Sequence, residues 1–292
     1  IPVTSVTNGV HIDTWLAPEL KELYSRYLPA GLRGRTGEPA AWSAVRNIPS
    51  GQLWERHQKL KEILLERLLP GHGASAKETL LIGFARRFAT YKRALLIFMD
   101  LDRLDKIVND PERPVRFVFA GKAHPADGPG QQMIRRLVEI SQMERFKGRI
   151  VFIENYDMGS AKTLVQGVDV WLNTPVKPME ASGTSGQKAA LNGVLNCSVL
   201  DGWWNEGYNG RNGWAIEGET EGSFDRQAQK DGEALYRLLE EEIVPLYYRR
   251  NAHSVPLDWV NRMKESICTL APRFNTHRMV REYVNRIYAP TE

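Results

Sequence analysis

Short apolar runs that alternate with amphipathic segments restrict the fold of this chain more than any other feature of the sequence. Strands and helices in such an alternation form a parallel sheet with helices on both faces and right-handed crossovers. We therefore predict an α/β fold with a doubly wound parallel sheet. The strand-like runs lie at residues 80–84, 115–120, 150–153, 168–172 and 197–200. The segments with helical spacing between them lie at residues 91–108, at Met133 to Ile140, at 159–166 and at 186–194.

The segments outside this alternation are predicted to be one loop and four further helices. Residues 31–50 are polar and dotted with glycine and proline, which is typical of a loop. Residues 52–69 carry leucines along one helical face, which indicates an amphipathic helix. The three remaining helices are predicted at about 230–247, 256–271 and 276–288.

The charge of the chain favours a local anion site over a polyanionic partner. It carries 39 basic and 35 acidic residues, for a net charge of +4. The two signs are intermixed, without an arginine-rich arm or an aromatic RNA-binding motif, so we expect no nucleic-acid partner. No apolar run reaches the roughly 20 residues that a membrane span requires. We therefore expect no membrane partner.

The cysteines are predicted to be buried free thiols. Cys197 and Cys268 each lie in an apolar run, which is more typical of a small buried side chain than of a disulfide. No cluster of cysteine and histidine has metal-ligand spacing, and we expect no metal site. Asp157 and Asp169 are predicted to be turn or helix-end residues.

Unusual polar residues follow the predicted strands. Ligands of an open parallel sheet bind at the carboxyl ends of its strands. Arg86, Arg87, Lys122 and Tyr156 come directly after strand-like runs, and residues 175–180 follow another. The sequence therefore predicts a binding site at this edge of the sheet.

The segment Glu180-Ala-Ser-Gly-Thr-Ser-Gly-Gln-Lys188 combines small residues with a lysine near the start of a predicted helix. Successive N–H groups before a helix form a cradle for an anion. An ammonium group at the positive end of the helix dipole is unfavourable, and reaction of Lys188 with an aldehyde cofactor would remove that conflict. A plain flexible serine- and glycine-rich loop is the alternative interpretation.

The segment Arg86-Arg-Phe-Ala-Thr-Tyr-Lys-Arg93 places four cations within eight residues. It lies where a strand is predicted to pass into a helix. Cations at such a junction suit a phosphate group. A solvated basic turn is the alternative interpretation.

Taken in order, these segments resemble the α-glucan (glycogen, starch and maltodextrin) phosphorylase family, in its shorter bacterial and archaeal branch. The family patterns EASGTxxxK, LNG and DG correspond to Glu180–Thr184 with Lys188, to Leu191-Asn-Gly193 and to Asp201-Gly202. Its remaining patterns correspond to residues 86–93, Thr7-Asn-Gly9 with Trp15, Gly121-Lys-Ala123 and Glu154-Asn-Tyr156. The chain departs from many members at Ser185-Gly-Gln187 and at Ala89-Thr90.

The resemblance implies a fold and a reaction. It implies the C-terminal lobe of a two-lobed GT-B glycosyltransferase fold with a Rossmann-like sheet. Residues 1–275 would form this catalytic lobe, and residues 276–292 would form a terminal helix that packs toward an N-terminal lobe. The implied enzyme is an α-glucan phosphorylase, which reversibly converts a terminal α-1,4-linked glucose and inorganic phosphate to α-D-glucose 1-phosphate with pyridoxal 5′-phosphate. Its partners would be an α-glucan or maltodextrin, phosphate and the N-terminal lobe. The resemblance further implies a cytoplasmic homo-oligomer, and a chain that is inactive without that lobe.

The resemblance also implies roles for individual residues. In the family the matching lysine forms a Schiff base with the cofactor, so Lys188 takes that role. The other implied cofactor contacts are Arg86, Thr184, Ser185, Tyr156 and Trp15. Arg87 and Lys92 would hold the substrate phosphate and, with Lys188 and Glu180, form the catalytic set. The implied sugar contacts are Asn8, Tyr91, Glu180, Ser182 and Gly183.

Two other functions compete with this interpretation. A nucleotide-sugar-dependent GT-B glycosyltransferase, such as a glycogen or starch synthase, also uses basic residues and an acidic loop. Such a loop typically carries a second acid seven or eight residues after the first, where this chain has Gln187-Lys188. A non-catalytic carbohydrate-binding domain could instead use the eight tryptophans, including Trp203-Trp204.

Overall fold

A six-stranded parallel sheet forms the centre of the protein. The computed structural model describes residues 3–29, 36–70, 78–218 and 223–289. The strand order across the sheet is β3-β2-β1-β4-β5-β6, with every neighbouring pair parallel. The predicted Rossmann-like parallel sheet is therefore confirmed. The strands are Leu80–Ala85 (β1), Val115–Ala120 (β2), Ile150–Ile153 (β3), Val170–Asn173 (β4), Leu195–Val199 (β5) and Gly213–Ile216 (β6).

Helices precede the sheet, connect its strands and follow it. The α-helices before β1 are Ile12–Trp15, Pro18–Tyr27, Pro39–Trp42 and Ser50–Leu68, with a 3₁₀ turn at Ser43–Asn47. The connecting α-helices are Leu101–Val108, Gly128–Gln142, Met158–Gly167, Ser185–Leu191 and Trp203–Gly207. Those after β6 are Phe224–Arg237, Val244–Tyr248, Leu257–Leu270 and Thr276–Tyr283, with π-helical turns at Leu238–Ile243 and Val284–Tyr288.

The order of the strands reverses between β1 and β4. The chain moves outward from β1 through β2 to β3, then returns to the other side of β1 and moves outward again. The helices Ser50–Leu68, Met158–Gly167 and Ser185–Leu191 pack together in one layer, whereas Phe224–Arg237 packs against the turn Leu96–Phe98. Residues that follow β1 and β4 therefore lie side by side at the switch point, where open α/β sheets bind ligands.

The predicted continuous helix over residues 91–108 is wrong. The structure has 3₁₀ turns at Thr90–Lys92 and Leu96–Phe98 and an α-helix only at Leu101–Val108. Arg93 adopts a left-handed conformation with φ of 48°, which ends the first turn. Asp100 caps the later helix by accepting a hydrogen bond from the backbone N–H of Arg103.

The predicted loop at residues 31–50 is also wrong over the part that the structure describes, and residues 31–35 lie outside it. Residues 39–47 are helical, because Trp42, Val45 and Ile48 are buried in the core. The strand β6 was not predicted from the sequence. It is fully buried, yet Gly213-Trp-Ala-Ile216 is too short to stand out as an apolar run.

Cys197 and Cys268 are buried free cysteines, as predicted. Burial raises the pKa of the Cys268 thiol to about 11 and raises that of Cys197 further. Among the described residues, no helix is long and apolar enough to span a membrane. The same residues contain no group of three or more histidine, cysteine, aspartate or glutamate side chains arranged to hold a metal ion.

Asp157 is a helix-end residue, as predicted, because its side chain caps the helix Met158–Gly167. Asp169 also lies where predicted, in a bend just after that helix ends, but the sequence did not indicate its role in the core. Its carboxylate is fully buried and lies 2.6 Å from Lys61 Nζ and 2.8 Å from His57 Nε2. It also accepts a hydrogen bond from the backbone N–H of Leu81 at 2.8 Å. Asp169 therefore joins the start of β1 to a helix and is part of the core.

Candidate functional site

Two cations from the segment after β1 meet a carboxylate from the loop after β4. Arg86 Nη2 lies 2.9 Å and Lys92 Nζ lies 2.5 Å from Glu180 Oε2. All three side chains are about nine-tenths buried. The structure thus brings three predicted site residues into direct contact at the switch point of the sheet.

The Arg86 guanidinium has hydrogen-bonding capacity to spare. Its Nε and Nη1 atoms are buried and have no hydrogen-bond partner within the described parts of the chain. Burial lowers the pKa of Arg86, against the opposing effects of Glu180, Tyr91 and Tyr156. Buried donors are normally satisfied, so two donor nitrogens without partners on one guanidinium suit an additional anionic acceptor.

Tyr91, Arg87 and Tyr156 surround this cluster. Lys92 Nζ lies 4.5 Å from the centre of the Tyr91 ring. Burial tends to raise the pKa of Tyr91, but hydrogen bonds with Lys92 and Arg87 outweigh it and lower the pKa. Burial raises the pKa of Tyr156 against the charge of Arg86. Arg87 itself is exposed, and its side chain hydrogen-bonds with Tyr91.

Lys188 lies on the short helix Ser185–Leu191 and faces an aromatic ring. Its Nζ atom is 3.7 Å from the centre of the Trp15 ring. Burial lowers the pKa of Lys188, and no charged group or hydrogen bond of the described residues contributes to that shift. The expected conflict with the helix dipole does not arise, because the residue lies in the last turn of this helix. Burial, and not the dipole, makes this amine easier to deprotonate.

The backbone of the loop between Glu180 and Lys188 is fixed by the Asp201-Gly202 pair. Asp201 Oδ2 accepts a hydrogen bond from the Glu180 N–H at 2.8 Å, and Ser182 O accepts one from the Trp203 N–H at 2.9 Å. A Cβ atom on Gly202 would lie 2.4 Å from Ser182 O. Gly202 also has φ of 54°, which glycine adopts without strain. The loop is therefore not a plain flexible segment.

The polar side chains within this loop differ in their partners. Ser182 Oγ is buried without a hydrogen-bond partner in the described structure. Gly183 has φ of 77°, and Thr184 is the N-cap of the helix without a side-chain capping bond. Ser185 Oγ accepts a hydrogen bond from Trp171 Nε1 at 3.1 Å. The Ser182 hydroxyl is therefore free to bind a polar ligand, whereas the Ser185 side chain supports the fold.

Asn8 lies beside the helix that carries Lys188. Its backbone oxygen accepts hydrogen bonds from Gln187 Nε2 at 3.1 Å and from Arg278 Nη2 at 3.2 Å. Arg278 Nη2 also donates to Thr7 O at 2.8 Å. Asn8 is exposed, whereas Trp15 is buried and contacts Lys188 Nζ. The structure thus brings Asn8, Trp15 and Lys188 together.

Other residues near the predicted motifs have structural partners or face solvent. Lys122 and His124 are exposed, and His124 Nδ1 accepts a hydrogen bond from the Ala126 N–H at 3.1 Å. Trp203 and Trp204 are almost completely buried. These two rings, the pair named for the carbohydrate-binding alternative, are therefore not available to stack on a sugar.

Arg93 and Asp201 are residues of this region to which the sequence interpretation gave no role. Arg93 donates to the backbone oxygens of Thr174 and Pro175 and pairs with Asp231. Asp201 belongs to the Asp201-Gly202 motif, and its hydrogen bond from the Glu180 N–H gives that motif a structural reason. The one feature of the sequence that pointed to Arg93 is its place as the fourth cation of residues 86–93.

The site as a whole has two parts. A cation cluster in which Arg86 has donor nitrogens without partners in the described structure lies after β1, and the Lys188 amine lies on the helix that follows the neighbouring strand, β4. Such a site can bind anionic groups through guanidinium and ammonium donors. Its Lys188 amine, whose pKa is lowered, can also react covalently with the carbonyl carbon of an aldehyde.

Comparison with known proteins agrees with this chemistry. The chain is 51% identical to the maltodextrin phosphorylase of Thermococcus litoralis, over 99% of this chain and 36% of the relative. It is 46% identical to the glycogen phosphorylase of Aquifex aeolicus, over 99% of this chain and 44% of the relative. It is 41% identical to that of Mycobacterium tuberculosis, over 99% of this chain and 36% of the relative. The chain thus spans between about a third and under half of these relatives. A sequence model of the carbohydrate phosphorylase family matches residues 3–206, and the chain therefore belongs to the carbohydrate phosphorylase family.

Proposed function

We propose that this chain supplies the cofactor-binding half of an α-glucan phosphorylase. The reaction is the reversible transfer of a terminal α-1,4-linked glucose to inorganic phosphate, which gives α-D-glucose 1-phosphate. The observation that carries the proposal is the Arg86 guanidinium, which is buried beside Lys92 and Glu180 with two donor nitrogens that have no partner among the described residues. The relatives extend well beyond the matched part, so we propose that activity needs the remaining polypeptide as a second lobe of the family's GT-B fold.

The described residues fit pyridoxal 5′-phosphate as the cofactor. Lys188 offers an amine whose pKa is lowered by burial, as attachment of an aldehyde requires. Arg86 offers two unsatisfied donor nitrogens for a phosphate group. We propose that Lys188 holds the aldehyde end, with Trp15 and Tyr156 beside the ring, and that Arg86 holds the phosphate with Thr184 and the Ser185 N–H. When bound, the cofactor supplies a phosphate group that exchanges a proton with the substrate phosphate.

The main task of the protein in this reaction is electrostatic. Two phosphate groups must lie side by side, and two unit charges about 4 Å apart repel by about 4 kcal/mol at an effective dielectric of about 20. Arg86, Arg87 and Lys92 are the cations that would offset this repulsion. Because Arg86 and Lys92 are buried and held in place by the fold, these two cations need little reorganisation when the substrate binds.

Glu180 is proposed to change partners when substrates bind. In this structure its carboxylate accepts from Arg86 and Lys92. A phosphate that binds Lys92 would compete for that ammonium group. Glu180 would then accept a hydrogen bond from a glucosyl hydroxyl, next to the free Ser182 hydroxyl and Gly183. Asn8 and Tyr91 would provide further contacts to the sugar.

Reduction with borohydride tests the cofactor assignment. The chain is incubated with pyridoxal 5′-phosphate and reduced, and peptide mass spectrometry locates the pyridoxyl group. We expect the modification at Lys188 and a loss of it in Lys188→Ala. Lys147→Ala is the matched control, because Lys147 is exposed near the opposite end of the sheet and its removal should change nothing. Equal modification of several surface lysines, with Lys188 unmodified, would refute the assignment.

Turnover is measured on the complemented protein, which we define as this chain expressed together with the part of the Thermococcus litoralis relative that it does not match. We expect phosphate-dependent release of glucose 1-phosphate from maltodextrin. Transfer from a nucleotide sugar without phosphate dependence would instead support the glycosyltransferase alternative.

A further inference from the structure

A buried ion pair begins at Arg93, the residue that follows Lys92. Arg93 Nη2 is 2.5 Å from Asp231 Oδ2, and the two side chains are 9% and 3% exposed. We propose that Arg93 and Asp231 are positioning residues, which fix the loop after β4, and with it Glu180, against Lys92. The inference rests on the proposed function, in which Lys92 and Glu180 face the substrates.

Arg93 joins the two segments that form the site. Its Nε atom donates to Thr174 O at 2.8 Å, and Nη2 donates to Pro175 O at 2.8 Å. In the reverse direction, Thr174 Oγ1 donates to the backbone oxygens of Lys92 and Arg93, both at 3.1 Å. The Val176 N–H donates to Tyr91 O at 2.8 Å. The backbone that carries Tyr91 and Lys92 is thus cross-linked to the start of the loop that carries Glu180.

Asp231 holds the Arg93 guanidinium from a third element. It lies on the helix Phe224–Arg237 and also accepts a hydrogen bond from the Gly218 N–H, just after β6. A Cβ atom on Gly218 would lie 2.1 Å from Asp231 Oδ1, so this approach requires glycine. On the same helix, Gln227 Nε2 lies 3.5 Å from Lys177 O, in the loop after β4. The helix therefore supports the loop directly through Gln227 and indirectly through Arg93.

The backbone of Arg93 is consistent with this role. A φ of 48° is uncommon for a residue with a side chain, and it persists only where surrounding contacts determine it. The side chain supplies such contacts through three acceptors. A lysine at this position would keep the charge but would present one ammonium group in place of two separate donor nitrogens. It could pair with Asp231 and still leave the two carbonyl oxygens without their donors.

The experiment uses the complemented protein loaded with pyridoxal 5′-phosphate. Its variants are Arg93→Lys, Asp231→Asn and the double variant. Arg103→Lys is the control, because Arg103 pairs with Glu233 and Glu240 on the solvent side of the same region. The measurements are amide hydrogen exchange of residues 174–183, the KM values for phosphate and for maltodextrin, kcat, and pyridoxyl incorporation at Lys188.

We expect both single variants to raise exchange of residues 174–183 about tenfold while β1 and β4 keep wild-type exchange. We expect kcat to fall about tenfold, as a small misplacement of reacting groups predicts, with a higher KM for phosphate and unchanged incorporation at Lys188. The double variant should be no worse than the poorer single variant, because the two residues act as one unit.

Wild-type exchange of residues 174–183 in both variants would overturn the proposal, and so would a mobile loop with unchanged kinetic constants. Additive effects in the double variant would also overturn it. Failure of the proposed function is separate, because it would appear as a wild-type protein without incorporation at Lys188 or phosphate-dependent turnover. The exchange measurement would still test the contact between Arg93, Asp231 and the loop.

Discussion

The buried group of Asp169, Lys61 and His57 provides a stability prediction that does not depend on function. Asp169→Asn removes a negative charge but keeps the shape of the side chain. The amide oxygen could still accept a hydrogen bond from Lys61 Nζ, as Thr79 O at 2.5 Å and Tyr247 Oη at 2.8 Å do, but the buried ammonium would lose the negative charge that it contacts. Lys61 is fully buried, and removal of one partner from a buried pair typically costs about 3–5 kcal/mol. We therefore expect the free energy of unfolding to fall by about that amount.

Urea denaturation of the isolated chain, followed by tryptophan fluorescence and far-ultraviolet circular dichroism, measures this change. Asp102→Asn is the control, because Asp102 is 87% exposed in its ion pair with Arg145 and should cost less than about 1 kcal/mol. The double variant Lys61→Met/Asp169→Asn should be less destabilised than the sum of the single variants. A cost below about 1 kcal/mol for Asp169→Asn, or additive single costs, would refute the reasoning.

The same carboxylate predicts a dependence on pH. Burial tends to raise the pKa of Asp169, but Lys61 and His57 outweigh it and hold the pKa below its usual value. A carboxyl group whose folded-state pKa is lowered contributes stability above its unfolded pKa of about 3.9 and loses it as the pH falls through the folded value. The wild-type chain should therefore lose more stability than Asp169→Asn below about pH 4. Parallel stability curves for the two proteins would contradict this.

Three further predictions concern the candidate site. Arg87→Ala in the complemented protein should raise the KM for phosphate about tenfold or more with little change for maltodextrin, and equal weakening of both would contradict its role. Gly202→Ala should destabilise the chain by about 1–3 kcal/mol, because its Cβ would approach Ser182 O; wild-type stability in denaturation would refute this. Lys188 should react with an amine reagent at a lower pH than the side chain of a lysine in a short free peptide, because burial lowers its pKa, and identical pH profiles by mass spectrometry would refute this.

The sequence predicted those parts of the fold in which local pattern and tertiary environment agree. The strands β1 to β3 are long or strongly apolar and lie within a residue or two of their predicted positions. The strand β6 was not predicted, because its burial results from packing next to β5 and its sequence has no long apolar run. The 91–108 segment has helical spacing, but the contacts of Arg93 with Thr174 O and Asp231 favour a different backbone.

The same distinction applies to the candidate site. Lys188, Glu180 and the cations of residues 86–93 were identified because their types and spacing are unusual. The contact of Glu180 with Arg86 and Lys92 was not predicted, because it depends on β1 and β4 being neighbours in the sheet. The role of Asp231 was not visible either, since it lies 138 residues from Arg93 along the chain.

The contact between Arg278 and the backbone of residues 7 and 8 couples the position of residues 7–10 to that of residues 274–278. The Val10 N–H donates to Phe274 O and the Thr276 N–H donates to Val10 O, so residues 274–278 and residues 7–10 are held as one unit. A change near residue 278 would therefore alter the position of Asn8 without touching it. On the proposed contact between Asn8 and the sugar, random mutations that impair sugar binding should cluster at two places far apart in sequence, and a second-site change at one place should be able to correct a defect at the other.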